Sequence, residues 1–309
     1  MSRTTGLRLA GGVLVLTFLV WRFGTGPFAD AWRLTTWGTV ALALALTAVA
    51  TLANAWRWRV IARALGAPLT PAGSVAAYYR SQFLNATLPG GMLGDAHRGV
   101  RHGREAKDLR VGLRATVWDR VSGQVVQIGL LVVALAVLPT SLRAFTPLAL
   151  AGLAAVGVLG WWLVRRGGAV AFVRHDLRSI GRPAVATRVA LASCLSTAGH
   201  VAVFWVAVGA VGVEAGTPLL VAIGLMVLVG SAVPLNVAGW GPREGVTAGV
   251  FALAGLGSTT GLTVSVVFGV LAAVATVPGL LVLAGDALAR RHRLVAADPG
   301  RVLEEVRRG

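Results

Sequence analysis

The 309-residue chain predicts an all-α, polytopic integral membrane bundle, and three observations carry that reading. The hydrophobic fraction is 56% and the charged fraction only 13%, against about 25% charged in ordinary soluble domains. The mean hydropathy is +0.74. Apolar runs close to the roughly 20 residues that cross a bilayer as helix recur along the chain. A formal net charge of +17 would suit a nucleic-acid surface on a soluble protein. Here the arginines cluster in short connections between apolar runs, the pattern of cytoplasmic loops. No nucleic-acid partner is therefore expected. Lys107 is the only lysine, and Cys194 the only cysteine. One cysteine excludes an intrachain disulfide, and its place in an apolar run reads as a small buried hydrophobe.

The first run, Leu9–Trp21, follows Arg3 and Arg8, and Ala29-Asp30-Ala31 resembles a cleavage site. The gap between the two is long for a signal peptide, so a retained first helix is expected. Leu34–Ala53 is long enough to span. After it come Asn54, Trp56 and Trp58, which read as interfacial anchors, and Arg57, Arg59 and Arg63. Val111–Leu138 is preceded by Arg98, Arg101, Arg104, Lys107 and Arg110. Phe145–Val164 is followed by Arg165, Arg166, Arg174, Arg178 and Arg182. Arg188–Val211 spans, Pro218–Val233 and the shorter Val246–Leu256 follow, and Gly261–Leu283 closes the series before Arg290, Arg291 and Arg293. The connections 139–146 and 212–217 are poor in positive charge. Placing the arginine-rich loops in the cytoplasm of a bacterial-type inner membrane puts both termini there and Glu214 outside. The membrane domain is 1–289, and 290–309 is a basic cytoplasmic tail.

That orientation has two consequences. Gly73–Gly94 lies between two cytoplasmic arginine groups, so it dips in and returns or runs along the interface. Pro218–Val233, Val246–Leu256 and Gly261–Leu283 must supply an odd number of crossings. Either all three cross or the first two form a re-entrant pair, and the pair is the expectation. The count is about seven to eight membrane segments, two of them broken. Pro89, Gly94 and Arg98 share the spacing P-x4-G-x3-R with Pro234, Gly239 and Arg243, which raises a possible inverted repeat.

Ionisable residues beside broken apolar segments are costly near hydrocarbon and mark polar pathways. Asp95, His97 and Arg98 form a first cluster in LPGGMLGDAHR. Pro89, Gly90, Gly91 and Gly94 interrupt the helix and leave backbone N–H groups open to an anion, and an adjacent arginine suits phosphate. The alternative is a solvated turn in which Asp95 caps the next helix. Arg114, Asp119 and Arg120 form a second cluster, extended at helical spacing by Gln124 and Gln127. It is either an inward polar stripe or snorkelling arginine with Asp119 as counter-ion. Arg243 and Glu244 form a third, with Asn236 and Trp240 nearby. Pro242 and Glu244 also suit a first helical turn, so helix capping is the competing reading. His200, alone in an apolar run, reads as hydrogen-bonded structure more readily than as a proton relay. There is no nucleotide-binding Gly-rich loop with lysine, no HExxH, no metal spacing and no nucleophile elbow. No enzyme activity, cofactor or metal is expected.

The segments YYRSQFLNATLPGGMLGDAHRGVRHGRE, VWDRVSGQ and PLNVAGWGPREG, in that order, resemble the lysylphosphatidylglycerol synthase transmembrane-region family, also called flippase-like. The resemblance runs from about Leu34 to Asp286. It implicates Pro89, Gly90, Gly91, Gly94, Asp95, Arg98, Asp119, Arg120, Gly123, Gly241, Arg243 and Glu244. In full-length family enzymes such a membrane domain moves aminoacylated lipid between leaflets, and a soluble C-terminal domain makes that lipid from aminoacyl-tRNA. Only about two dozen residues follow Asp286 here, so lysyl-lipid synthesis is not implied. The resemblance implies translocation of an anionic or zwitterionic membrane lipid: a phospholipid, a glycolipid or a polyprenyl-phosphate-linked lipid. Arg98, Arg120 and Arg243 would contact the head group, held in place by Asp95, Asp119 and Glu244. Two rivals remain. One is a scaffold for envelope-lipid synthesis. The other is a membrane-embedded lipid-phosphate transferase with Asp95 or Asp119 as base. A cavity joining the three clusters favours transport, and their separation favours the scaffold.

Overall fold

The computed structural model describes residues 21, 25–88, 91–137, 141–166, 170–232 and 242–297. Among these all regular structure is helical. The helices are α1 (Gly26–Leu34), α2 (Trp37–Ala64), α3 (Pro71–Thr87), α4 (Leu93–Glu105), α5 (Leu109–Val137), α6 (Thr146–Arg166), α7 (Val170–Ile180), α8 (Pro183–Val211), α9 (Thr217–Ser231), α10 (Pro242–Leu253), α11 (Ser258–Ala275) and α12 (Pro278–Ala297). A short 3-10 turn, Ser141–Phe145, precedes α6. Apart from Trp21, the run Leu9–Trp21 lies outside the described residues. So do Pro89, Gly90, Pro234, Asn236, Gly239 and Trp240. Gly241 also lies outside the described residues.

Local chemistry sets the helix ends. Thr36 and Thr39 exchange side-chain and backbone bonds as a capping box at the start of α2. Thr70 accepts from the Gly73 N–H (3.1 Å) ahead of Pro71, which opens α3 without sacrificing a hydrogen bond. Gly212, at φ 76°, ends α8 in the left-handed conformation. Pro278 follows α11 by a few residues, so α11 and α12 run on as one apolar stretch, Ser258–Ala289, broken where proline removes a donor. Among the described residues, four helices are long and apolar enough to cross a membrane: α2, α5, α8 and the α11–α12 stretch. At 1.5 Å per residue, the 17-residue α3 and 15-residue α9 reach only roughly 26 and 22 Å, short of a hydrocarbon core of about 30 Å.

The order of lengths repeats. A short helix, a long helix, two short helices and a long one occur as α1–α5 and again as α7–α12, joined by α6. The packing repeats with it. In the first unit α2 meets α3 and α5, α3 meets α4, and α4 meets α5. In the second, α8 meets α9 and α11, α9 meets α10, and α10 meets α11. Contacts between units also come in pairs: α2 with α11 and α8 with α5, α3 with α12 and α9 with α5. The most extensive contact joins α2 to α8. These two run antiparallel, because Arg57 reaches Ser193 while Leu46 and Ala50 lie against Gly199. The units are therefore inverted relative to each other about the α2–α8 pair.

The register differs from that of the P-x4-G-x3-R spacing. One common offset aligns the starts of α4 and α10 and the starts of α5 and α11, and it pairs Asp95 with Glu244, not Arg98 with Arg243. Two further residues agree. Gly112 abuts the Gly103 backbone at the α4–α5 crossing, and its counterpart Gly261 abuts Phe251 and the Thr247 carbonyl at the α10–α11 crossing. A side chain at either would collide with backbone, which explains glycine at both.

Two apolar clusters fill the bundle: one around Phe204, Phe251, Leu262 and Phe268, the other around Trp58, Ile61 and Ala115. Three expectations need correction here. Cys194 is exposed on the outer face of α8, because its neighbours Ser193 and Ser196 take the inward positions. Trp58 is 1% exposed and Asn54 is buried, so neither is an interfacial anchor. Helix α2 extends well beyond its apolar run and carries both into the interior, whereas Trp56 on its other face is exposed.

Candidate functional site

Helix α4 is hydrophilic, yet it is packed on one face. Gly94, Asp95, Arg98, Gly99, His102 and Gly103 are buried at helical spacing, so α4 presents charge and bare backbone to its neighbours. Gly94 makes this close approach feasible, lying directly against the Ser81 carbonyl of α3. Its N–H donates to Asn85 Oδ1 (2.8 Å), so that backbone donor is engaged and not open to an anion. Gly91, at φ 60°, turns the chain between α3 and α4.

Around this face lies a buried ion network. Asp119 of α5, 0% exposed, accepts from Arg57 Nε of α2 (2.8 Å), from Arg98 Nη2 of α4 (2.9 Å) and from the Tyr78 hydroxyl of α3. Asp95 accepts from Arg98 Nη2 (3.1 Å), Arg120 Nε (2.8 Å), Ser81 Oγ (2.9 Å) and Asn85 Nδ2 (3.0 Å). Its carboxylate thus binds side chains of α3, α4 and α5 and does not cap α4. Arg120, Arg98, Ser81 and Asn85 together supply the donors that this buried carboxylate requires. The Arg98 guanidinium lies over the rings of both Trp58 (4.4 Å) and Tyr78 (4.1 Å), in the corner these edge-packed rings form. Gly123 lies against the Arg57 guanidinium, where a side chain would displace it. Three guanidinium groups face two carboxylates, which leaves the cluster with one net positive charge.

On one side of the network is a cavity of 250 Å³. Its walls carry Arg57, Arg120, Gln124, Gln127, Thr197 and His200, together with other polar side chains of α2, α3 and α8. The stripe from Arg120 through Gln124 and Gln127 therefore faces inward. His200 Nδ1 lies 2.8 Å from the Ser196 carbonyl, the hydrogen-bonded arrangement expected of it. Gln127 Nε2 is buried without a hydrogen-bond partner among the described residues. The cavity is lined by α2, α3 and α5 of one unit and by α8 and α9 of the other, so it lies at the interface of the inverted units, with Gln124 midway along α5.

The other expected site residues divide. Asp95, Arg98, Asp119 and Arg120 converge, so the first and second clusters are one site. His97 is exposed and faces away from it, onto a groove beside Arg101 and Asp286. Arg114 also leaves: Asp176 of α7 takes its guanidinium and accepts from Trp118 Nε1 (2.8 Å). Arg243 and Glu244 form a separate group. Arg243 donates to Glu244 Oε1 (2.9 and 2.6 Å), stacks on Phe268 (5.6 Å) and rests against Gly269, while Ser265 reaches the same carboxylate at 3.4 Å. In the repeat alignment Gly269 is the counterpart of Arg120. One unit brings the arginine from its long helix, and the other brings it from beside the acid, into room left by glycine. Among the described residues no group of three or more His, Cys, Asp or Glu converges as a metal site requires.

Arg57 and Tyr78 are central to the site and were not among the expected site residues. Arg57 sits in an arginine run that reads as a loop, and Tyr78 in a segment with weak helical periodicity. The signal for Arg57 was its i, i+3 spacing from Asn54, which places both on one helical face.

A model of the lysylphosphatidylglycerol synthase TM region matches residues 6–279 of the chain. Neither a curated protein nor a solved structure matches it.

Proposed function

Because the chain belongs to the lysylphosphatidylglycerol synthase TM region family, a family of membrane domains, we propose that it translocates an anionic or zwitterionic lipid across the membrane. The observation that supports this most is the polar cavity lined by Arg57, Arg120, Gln124, Gln127 and His200 at the junction of two inverted units. Transporter sites lie at such repeat interfaces, near the midplane and beside interrupted helices. The breaks between α3 and α4 and between α9 and α10 are read as re-entrant hairpins, since these helices are too short to span. Arg57 and Arg120 are already engaged by Asp119 and Asp95. An incoming phosphate exchanges partners with a carboxylate, and that exchange keeps the grip weak enough for release. The lipid is the partner, and no covalent chemistry is assigned to the domain.

Orientation follows from the ends. Asp286 bridges Arg80 and Arg101, and Asp176 binds Arg114, so α7, α12 and the arginine-rich stretch around α4 share one end of the bundle. By the charge rule this end is cytoplasmic in a bacterial-type inner membrane, with Glu214 at the other. Thiols introduced at 104 and 214 should react from opposite sides of intact cells.

A second reading, a non-transporting scaffold for lipid-synthesising enzymes, is favoured by one observation. The described partners of Arg243 lie on α10 and α11, apart from the Asp95–Asp119 network. Reconstitution separates the two readings. Proteoliposomes holding the purified chain should expose fluorescent-headgroup phospholipid from the inner leaflet to a membrane-impermeant quencher, while protein-free vesicles should not. Equal rates in both would leave the scaffold.

A further inference from the structure

A second cavity, of 430 Å³, adjoins the network at the arginine-rich end. Arg98 lines it, although the same guanidinium sends Nη2 to Asp95 and Asp119. Trp58, Arg80, Arg101, His102 and Asp286 also line it, so α2, α3, α4 and α12 all contribute.

Its walls hold most of the buried nitrogens that lack a hydrogen-bond partner among the described residues. These are Trp58 Nε1, Arg80 Nε, both Nε and Nη1 of Arg98, and His102 Nε2. The four residues are 1%, 4%, 1% and 3% exposed, so bulk water does not serve these atoms. Buried donors are nearly always paired, and a charged one left unpaired is costlier than a neutral one. Four of the five are fixed N–H donors, three of them on guanidinium groups. His102 Nε2 donates or accepts according to its tautomer. Such a donor set from three helices fits a group with several acceptor oxygens and negative charge.

One such group already stands at the edge. Asp286 Oδ2 accepts from Arg80 Nη1 (2.6 Å) and Arg101 Nη1 (2.5 Å), and Arg101 also pairs with Glu105 (3.1 Å). Asp286 is about a third exposed, so its carboxylate can be displaced into solvent without being stranded. With the adjoining network, five guanidinium groups (Arg57, Arg80, Arg98, Arg101 and Arg120) face four carboxylates (Asp95, Asp119, Glu105 and Asp286), and the one positive charge left over, shared through Arg98, makes this cavity receptive to a further anion.

We propose that this second cavity is an oxyanion site for a phosphate group, with Arg80, Arg98 and Trp58 as donors and Asp286 as the internal anion that phosphate displaces. A lipid headgroup and free inorganic phosphate share this chemistry. The assignment requires nothing of translocation: a site that only binds satisfies it, and its failure leaves the reconstitution result untouched.

The test is calorimetric binding to the full chain in an uncharged maltoside detergent. The probes are inorganic phosphate, a short-chain phosphatidic acid and the matching diacylglycerol, with folding of each variant checked by size exclusion. At least one phosphate probe should bind saturably and diacylglycerol should not. Arg80→Gln should weaken binding about tenfold or more, the worth of one charge-assisted bond. Asp286→Asn should tighten it by removing the competitor, and Arg143→Ala, in the connection before α6, should change nothing. Binding of phosphatidic acid alone identifies a lipid headgroup as the ligand, and binding of both shows that free phosphate suffices. If Arg80→Gln does not fold, Asp286→Asn carries the test, since it keeps every proposed donor. The assignment fails if neither phosphate probe exceeds diacylglycerol, or if binding ignores both substitutions.

Discussion

Asp119→Asn should abolish most folded protein. The carboxylate is fully buried and is shared by Arg57, Arg98 and Tyr78, which arrive from three different helices. Asparagine keeps the shape and removes the charge, leaving buried Arg57 with Ser193 alone among the described residues and Arg98 sharing Asp95 with Arg120. Breaking one buried pair in this way costs roughly 3–5 kcal/mol, a large part of the stability of a typical domain. Arg57 and Arg98 lie on α2 and α4, so the packing of both helices on α5 suffers together. Asp108→Asn is the matched control. Asp108 is exposed and caps α5 through its bonds to the N–H groups of Arg110 (2.9 Å) and Val111 (3.1 Å), a task asparagine performs equally well. Monodisperse yield and thermal unfolding in detergent should separate the two variants. Equal behaviour would show that the network adds nothing to the fold.

The second large effect is on transport, not on folding. Arg120→Gln should reduce lipid translocation about tenfold or more while shifting the unfolding temperature by only a few degrees, as expected for a partly exposed pair. The Arg120 side chain is 38% exposed at the cavity. Its partner Asp95 keeps Arg98, Ser81 and Asn85, so no carboxylate is stranded. Arg120→Lys should also fall short, because an ammonium cannot grip phosphate with a planar fork. Translocation normalised to folded protein is the readout. A wild-type rate in Arg120→Gln would remove this residue from the path.

Much of this architecture is legible in the sequence because charge in an apolar chain is rare and each case needs a reason. Asp95, Arg98, Asp119 and Arg120 stand out on that ground alone, and the helical spacing of Gln124 and Gln127 indicates an inward face. Their convergence is not legible, because it depends on α3 and α4 folding back beside α2 and α5. Arg57 hides among Arg59 and Arg63, which share its composition but not its direction. Arg114 is drawn off by Asp176, on a segment that reads as a loop. The repeat is visible in sequence only as three matching letters, and they misplace it. Helix lengths and the paired crossings at Gly112 and Gly261 set the register that joins Asp95 to Glu244. The resemblance to the family likewise names single residues but not that Arg243 and Glu244 pair with each other.

The central claim is that headgroups pass through the cavity between the inverted units. Gln124 lines that cavity midway along α5 and is absent from the Asp95–Asp119 bonds, so replacing it disturbs no ion pair. With Cys194, the exposed native thiol, changed to serine, Gln124→Cys can be tagged with a bulky water-soluble thiol reagent in proteoliposomes. The account predicts that the untagged variant translocates lipid and that tagging stops it, with lipid present during tagging slowing the reaction. Translocation that continues at the untagged rate with position 124 fully modified would contradict it.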